Sequence, residues 1–470
     1  MSGLFGSLSS SVKALNAHSR ALETAGKNLA NVNNPEYARQ RVVYGSRGTV
    51  MTPQGAQSLG LEVRAIQQLR DALLDRQLMR ELSLEASANS ERDAFQRAQA
   101  ALGEMIDRAA ATGSGATTAT GIGAALDDFF NAFQSLASRP TDQGEREVLL
   151  QKAAILTDRL QLADTRIAQV QSDLNAEVET DVGDINRLLE GIAELNGQIG
   201  RFEINNPGSA VDLRDQRQAR LEELAAKLNV NVTEAGGGQV RVSSVDALGN
   251  EVVLVDLATV TGPVTFDGTN LSAGSPATVL ALASGSVQGA LAARDGAVQT
   301  LRDDLDALAA QLVTSVNAAY NPSGATGNFF VAGGTTAGTI ALEAGLTAAS
   351  LKASDGGAAG DNTISLAVSA LASQAFSTGG GDTIDGTFSG FYSQTVSRLG
   401  QALSTAESRA QDQANITGIV RGQRDSVSGV SMDEELADLT RFQRAFQASS
   451  RFFNVVDSLL ENVVNQLGRG

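Results

Sequence analysis

The sequence predicts a mainly α chain with β inserts, arranged as an elongated multidomain rod. Its N- and C-terminal helices pair as a coiled coil, around a long helical-bundle middle domain and a discontinuous β-rich distal domain. Three observations predict this. Apolar residues repeat in sevens at both ends of the chain, one helical stripe runs through residues 144–204, and alternation replaces helical spacing after residue 228.

In the opening segment Leu8, Leu15, Leu22 and Leu29 form a ladder, with Leu4 and Ala25 in a second register and polar Ser11 and His18 between them. The Asn34-Pro35 step ends this helix, because the residue before a proline is pushed out of helical backbone. Residues 37–64 read as extended and glycine-punctuated. Helical spacing returns at Ile66, Leu69 and Leu73 and continues to about residue 108. "ATGSGATTATGIG" (111–123) has the composition of a flexible linker. Leu126, Phe129, Phe133 and Leu136 then mark a helix that Pro140 stops.

Ile167, Val170, Leu174, Val178, Val182, Ile185, Leu188, Ile192, Leu195, Ile199 and Phe202 lie on one stripe of a helix, with Gly183, Gly191 and Gly197 as candidate bends. "NNPGSAVDLRDQR" turns the chain into another helix ending near Leu228. "VNVTEAGGGQVRVSSVDALGNEVVLVD" alternates as strand, turn, strand, turn, strand. Helix resumes over 287–320, residues 322–390 are Gly/Thr/Ala-rich with a β-like pattern, and helix returns from Phe391 with a break at "RDSVSG".

The final segment carries the strongest seam. Leu439, Phe446, Phe453, Leu460 and Leu467 form one ladder; Phe442, Val456 and Val463 form the other, with Ser449 completing it. Periodicity leaves two packings open: each end on its own globular body, or end against end. The second is antiparallel if the chain goes out and returns. The expected domains are residues 1–45 with 425–470 (terminal coiled coil), 46–235 with 285–321 and 391–424 (helical middle), and 236–284 with 322–390 (distal, β-rich).

Composition narrows the function. The 470 residues carry a net charge of −17 without a Lys/Arg cluster, which argues against nucleic acid. Cysteine is absent, so disulfide and thiol chemistry are excluded. No apolar run reaches the roughly 18 residues that span a bilayer, and the N-terminus does not read as a cleavable signal peptide. His18, the sole histidine, has no second His or Cys with which to form a site. "TEAGGGQV" lacks the Lys-Ser/Thr of a phosphate loop, and "SDGGAAGDN" lacks the alternating spacing of a calcium loop. Asp303, Asp304 and Asp306 read as a solvated helix face, and "ARDG" (293–296) as a helix-start turn. The expectation is no catalytic residue, no cofactor and no metal.

The N-terminal "LFGSLSSSVKALNAHSRALETAGKNLANVNNPEYARQRV" and the C-terminal "SGVSMDEELADLTRFQRAFQASSRFFNVVDSLLENVVNQLG" resemble the ends of flagellar axial proteins. In these a Ser/Ala-rich helix leads to an Asn-rich turn and an aromatic residue, here Asn34, Pro35 and Tyr37. Glu36 stands where the family more often has Gly. The interior stretches "LASRPTDQGEREVLLQKAAIL", "INRLLEGIAELNGQI" and "NNPGSAVDLRDQRQARLEELAAKLNVNV", with "GNFF" further on, resemble the hook-associated protein 1 family.

The resemblance implies a secreted structural component of the bacterial flagellum at the hook–filament junction, exported without a cleaved signal. It implies self-assembly through the two terminal seams. The implied partners are the hook protein, the second junction protein (hook-associated protein 3) and an export chaperone on the C-terminal helix. Two alternatives stay open: another axial protein of hook or distal-rod type, or an axial protein carrying an enzymatic insert.

Overall fold

The computed structural model describes residues 2–46, 48–52, 55–58, 60–103, 121–324, 327–356, 358 and 360–467. The chain divides into two compact units: Met1–Ala86 with Asp181–Gly285 and Gln413–Gly470, and Ser87–Thr180 with Ser286–Asp412. Helices α2 (Ala72–Leu102), α4 (Gln143–Glu203) and α9 (Phe388–Ser428) contribute residues to both.

The first unit contains α1 (Ser2–Ala30) and α10 (Met432–Leu467), which pack against each other. Between them in sequence comes a hairpin of β1 (Gln40–Ser46) and β4 (Leu61–Gln68), antiparallel from Gln40 opposite Gln68 to Ser46 opposite Leu61. A smaller hairpin of β2 (Thr49–Thr52) and β3 (Gly55–Ser58) lies within it. Ile66, expected at a helix start, is a strand residue; α2 begins after it at Ala72.

Helix α5 (Val211–Lys227) leads into an antiparallel sheet of β5 (Asn231–Gly236), β6 (Gln239–Val245), β7 (Glu251–Asp256) and β8 (Thr259–Val260). Three short strands follow: β9 (Thr265–Phe266), β10 (Leu271–Ala273) and β11 (Thr278–Val279). Two asparagines of α4 fasten this β insert by pairing with both backbone groups of one residue. Asn186 Nδ2 donates to the Val264 carbonyl at 2.8 Å while the Val264 N–H donates to Asn186 Oδ1 at 2.8 Å. Asn196, fully buried, makes the same pair of bonds with Val240 at 2.8 and 3.2 Å. Buried backbone groups that no neighbouring strand pairs are satisfied this way.

The second unit is built on an aromatic core. Phe129 and Phe133 of α3 (Ile122–Ser138) meet Phe329 at ring-centroid distances of 5.8 and 5.4 Å, and Tyr320 meets Phe329 at 5.3 Å. Asn317 of α7 (Gln299–Tyr320) fixes the "GNFF" stretch: the N–H groups of Phe329 and Phe330 donate to its Oδ1 at 3.0 and 2.9 Å, and its Nδ2 donates to the Phe330 carbonyl at 2.9 Å.

Several local expectations change. Among the described residues, 322–390 form no strand. They fold as turns, isolated bridges at Phe330–Leu342 and Phe376–Gly386, and a short helix, α8 (Thr363–Ala370). Gly, Ser and Thr in this stretch supply turns in place of ladder partners. The two inserts fall in different units, 236–284 in the first and 322–390 in the second. Residues 104–108 at the end of the expected second helix and 111–120 of the expected linker lie outside the described residues, as do Gly357 and Ala359 of "SDGGAAGDN".

"ARDG" is not a helix start. It sits where α6 (Ser286–Ala293) continues through a π turn (Arg294–Val298) into α7, with the kink at Gly296. Asp304 and Asp306 are not merely solvated: Asp304 pairs with Arg398 at 3.1 Å, and Asp306 Oδ1 accepts the Ala337 N–H at 2.7 Å. The three candidate bends, Gly183, Gly191 and Gly197, leave the 61 residues of α4 continuous. Helix α9 runs through most of "RDSVSG" and ends at Ser428, just before Gly429, where a Cβ would collide with the Asp425 carbonyl oxygen.

Candidate functional site

The geometry converges where the two ends of the chain meet. Helix α10 opens with Asp433, Glu434 and Glu435 in its first turn, where carboxylates suit the positive helix end. Helix α1 closes with Lys27 in its last turn, the complementary arrangement. The pair is antiparallel, because Asn28 near the end of α1 donates from Nδ2 to Glu435 Oε2, near the start of α10, at 3.1 Å.

Asn28 is 2% exposed, and every polar site it has is used. Nδ2 also donates to the Gln40 carbonyl at 2.8 Å, while Oδ1 accepts the Tyr37 hydroxyl at 2.8 Å and the Gln40 N–H at 3.0 Å. Burial pushes the Tyr37 hydroxyl well above its ordinary pKa, and the charges of Asp212, Asp215 and Glu435 push it the same way. Tyr37 therefore stays a protonated donor.

Arg39 closes the clasp from the other side. Its N–H donates to the Ser428 carbonyl at 2.8 Å, at the end of α9, and its Nε donates to Glu435 Oε1 at 2.7 Å. Its Nη1 donates to Glu434. Burial alone would lower the guanidinium pKa; the two carboxylates outweigh it and raise it.

The Asn-rich turn is gripped through its carbonyls. Arg424 Nη2 donates to the Pro35 carbonyl at 3.3 Å and Arg70 Nη2 to the Glu36 carbonyl at 3.2 Å. Arg424 is paired in turn with Glu222 at 3.0 Å, and Arg70 with Asp215 at 2.6 Å. Gln40 Nε2 donates to Asp212 Oδ1 at 2.9 Å. Glu36 has no left-handed backbone, so the absent glycine costs nothing here; its N–H donates to Asn34 Oδ1 at 3.1 Å. Between the turn and residues 424–431 lies a polar groove of about 480 Å³. The arrangement is a mechanical clasp. Among the described residues no group of His, Asp and Glu has the geometry to hold a metal.

The predicted seam residues take unequal places. Leu8, Leu15, Leu22 and Leu29 are all half-buried. The buried line of α1 is instead Ser11, Ala17, Ala21, Thr24, Ala25 and Asn28, small residues that let neighbouring backbone approach closely. On α10 Val456 and Leu460 are buried, and Leu439, Phe442, Phe453 and Val463 are half-buried. Phe446 is 36% exposed, and the Leu467 side chain lies outside the described ones.

A second apolar line on α10 was not predicted: Phe452, Val455 and Leu459 are exposed. Their i, i+3, i+7 spacing was present in the sequence but hidden beside the stronger ladders. Counting along the antiparallel pair from the Asn28–Glu435 contact, Phe452, Val455 and Leu459 lie opposite Ser11, Leu8 and Leu4, next to Val12 and Phe5, which are also exposed. Arg39, Gln40, Asp212, Asp215 and Glu435 were likewise missed. Their only sequence signals are the acidic opening of α10 and the alternating charges of "DLRDQR".

Residues 114–330 match the family model described as flagellar hook-associated protein FlgK helical domain. Residues 422–467, which carry Arg424, Glu434 and Glu435, match that described as flagellar basal body rod FlgEFG protein C-terminal. Over its full length the chain is 25% identical to flagellar hook-associated protein 1 of Bacillus subtilis (strain 168), covering 100% of both. These matches support the hook-associated protein 1 family for this chain. The family's Escherichia coli (strain K12) protein is 22% identical, with 97% of this chain and 99% of that one covered. The solved hook junction protein FlgK from Burkholderia pseudomallei shares the fold of this chain. Its TM-score is 0.61 at 15% identity, over 75% of this chain and 100% of that one.

Proposed function

We propose that this chain joins hook to filament in the bacterial flagellum as a purely structural, non-catalytic part. The family that the matches support makes it a structural component that assembles with other flagellar proteins. The finer reading is that it contacts the hook protein on one side and the second junction protein on the other, with copies of itself alongside. An export chaperone covers α10 before assembly, and the mature protein is extracellular. A division into terminal and middle domains belongs to the same reading, with the two inserts in separate units.

The observation that carries it is the clasped α1–α10 pair with apolar residues left on its outside. Phe452 is 53% exposed, beside Val455 and Leu459. Such a line on a paired helix is a surface for further helices. The half-buried leucines of α1 supply the complementary flank.

The test is Phe452→Asp. An exposed side chain contributes little to the monomer, so the purified chain should melt as wild type does. In cells the variant should leave hooks without filaments, release flagellin to the medium and abolish motility. Wild-type swimming with this substitution would reject the assembly surface.

A further inference from the structure

The first unit holds a cavity of about 630 Å³ between the β4–α2 connection, α5 and the β5–β6 hairpin. Arg70, Arg76, Arg214 and Arg217 line it. Two of these are neutralised: Arg70 by Asp215 and Asp75, and Arg214 by Glu203. Arg76 is exposed. Arg217 is 7% exposed, and among the described residues it has no carboxylate within ion-pair distance.

The hydrogen bonding of Arg217 is one-sided. Its Nη1 donates to Asn196 Oδ1 at 2.8 Å and to the Gly238 carbonyl at 2.7 Å, both neutral acceptors. Among the described residues its Nε and Nη2 make no hydrogen bond. That edge of a guanidinium is one that grips two oxygens at once. Burial, with the nearby charge of Arg214, pulls this guanidinium down to about 10; the carboxylates of Glu203 and Glu234 act against the shift. Of the carboxylates lining the cavity, Asp75 is held by Arg70, and Glu234 is exposed. A buried cation without a close counter-charge is costly, and an anion would offset that cost.

We propose that this cavity binds a small tetrahedral oxyanion of the phosphate or sulfate class, gripped by Nε and Nη2 of Arg217 with Arg76 as a second contact. A tetrahedral anion has enough oxygens for both arginines, whereas one carboxylate is filled by Arg217 alone.

The test titrates the full chain with inorganic phosphate at constant ionic strength, following the side-chain Nε resonance of Arg217 and the thermal melt. A saturable shift of that resonance with a rise in melting temperature is expected. Arg217→Gln should weaken apparent affinity about tenfold or more, the scale of lost hydrogen bonds to a charged group. Arg76→Gln, at an exposed position, should fold normally and still weaken it several-fold. An Arg217 resonance unmoved by phosphate would make the residue a structural strut and overturn the site. A response equal in wild type and Arg76→Gln, or one seen with acetate and not phosphate, would overturn the tetrahedral assignment.

Discussion

Asn28 and Glu435 stand 407 positions apart in the chain and share a buried hydrogen bond of 3.1 Å. The same asparagine holds the Tyr37 hydroxyl and both backbone groups of Gln40. One side chain therefore joins the first helix, the Asn-rich turn, the first strand and the last helix.

Replacing Asn28 by Leu would leave the Gln40 N–H and carbonyl and the Tyr37 hydroxyl buried without partners. Each such group costs about 1–3 kcal/mol. The expected result is a lower denaturation midpoint for the first unit, with amide protection in the Phe129–Phe329 region unchanged. Equal loss in both units would show that the clasp is not local.

The α1–α10 pair should open from one end. Buried polar contacts concentrate near Asn28, Arg39 and Glu435, while the far end exposes Phe5, Val12, Phe452, Val455 and Leu459. Hydrogen exchange in the isolated chain should be slow around residues 24–28 and 435–442, and faster around 4–12 and 452–464. Uniform protection along both helices would contradict this gradient.

Asn317→Ala should destabilise the second unit by about 2–4 kcal/mol, because two buried N–H groups, at Phe329 and Phe330, lose their acceptor. Asn317→Asp keeps the acceptor and loses only the donor to the Phe330 carbonyl, so it should cost less. Urea unfolding of the two variants side by side checks the order.

Glu203 gives the first unit a defined acid response. Burial would raise its carboxyl, but hydrogen bonds from Arg214 and from the Gly208 and Ala210 backbone, with the Arg214 charge, bring it below its ordinary 4.5. A folded value below the unfolded one means stability that is full above about pH 4.5 and lost as pH falls through the folded value. Asp75 and Asp215 carry the opposite sign: burial raises both, so their cost is relieved in acid. The measurement is therefore a difference, wild type minus Glu203→Gln. It should be about 1–3 kcal/mol at pH 7 and shrink below pH 4. A pH-independent difference would remove the ionised Glu203–Arg214 pair from the account.

Elements set by local spacing were legible in the sequence. The stripe from Ile167 to Phe202 became one unbroken helix, and the alternation after Leu228 became β5, β6 and β7. Hydrophobic period is a property of neighbours along the chain, so it survives without knowledge of the fold. Residues 322–390 misled because short apolar runs among glycines suit a strand or a turn-rich loop equally, and packing against an aromatic core decides between them.

By itself the sequence determined the longest helical segments, that the two ends carry matched heptads, and that the chain lacks the residue types for cysteine chemistry. Only the tertiary structure decided which face of α1 is buried. It put Ala17, Ala21 and Ala25 inside and left the leucine ladder half out, since close approach favours small side chains. It also gave four helical asparagines, Asn28, Asn186, Asn196 and Asn317, the same task of pairing with one residue's N–H and carbonyl. An asparagine in a helix has no periodic signature. Its partner lies on another element, and which backbone groups are left unpaired there is known only once the chain has folded.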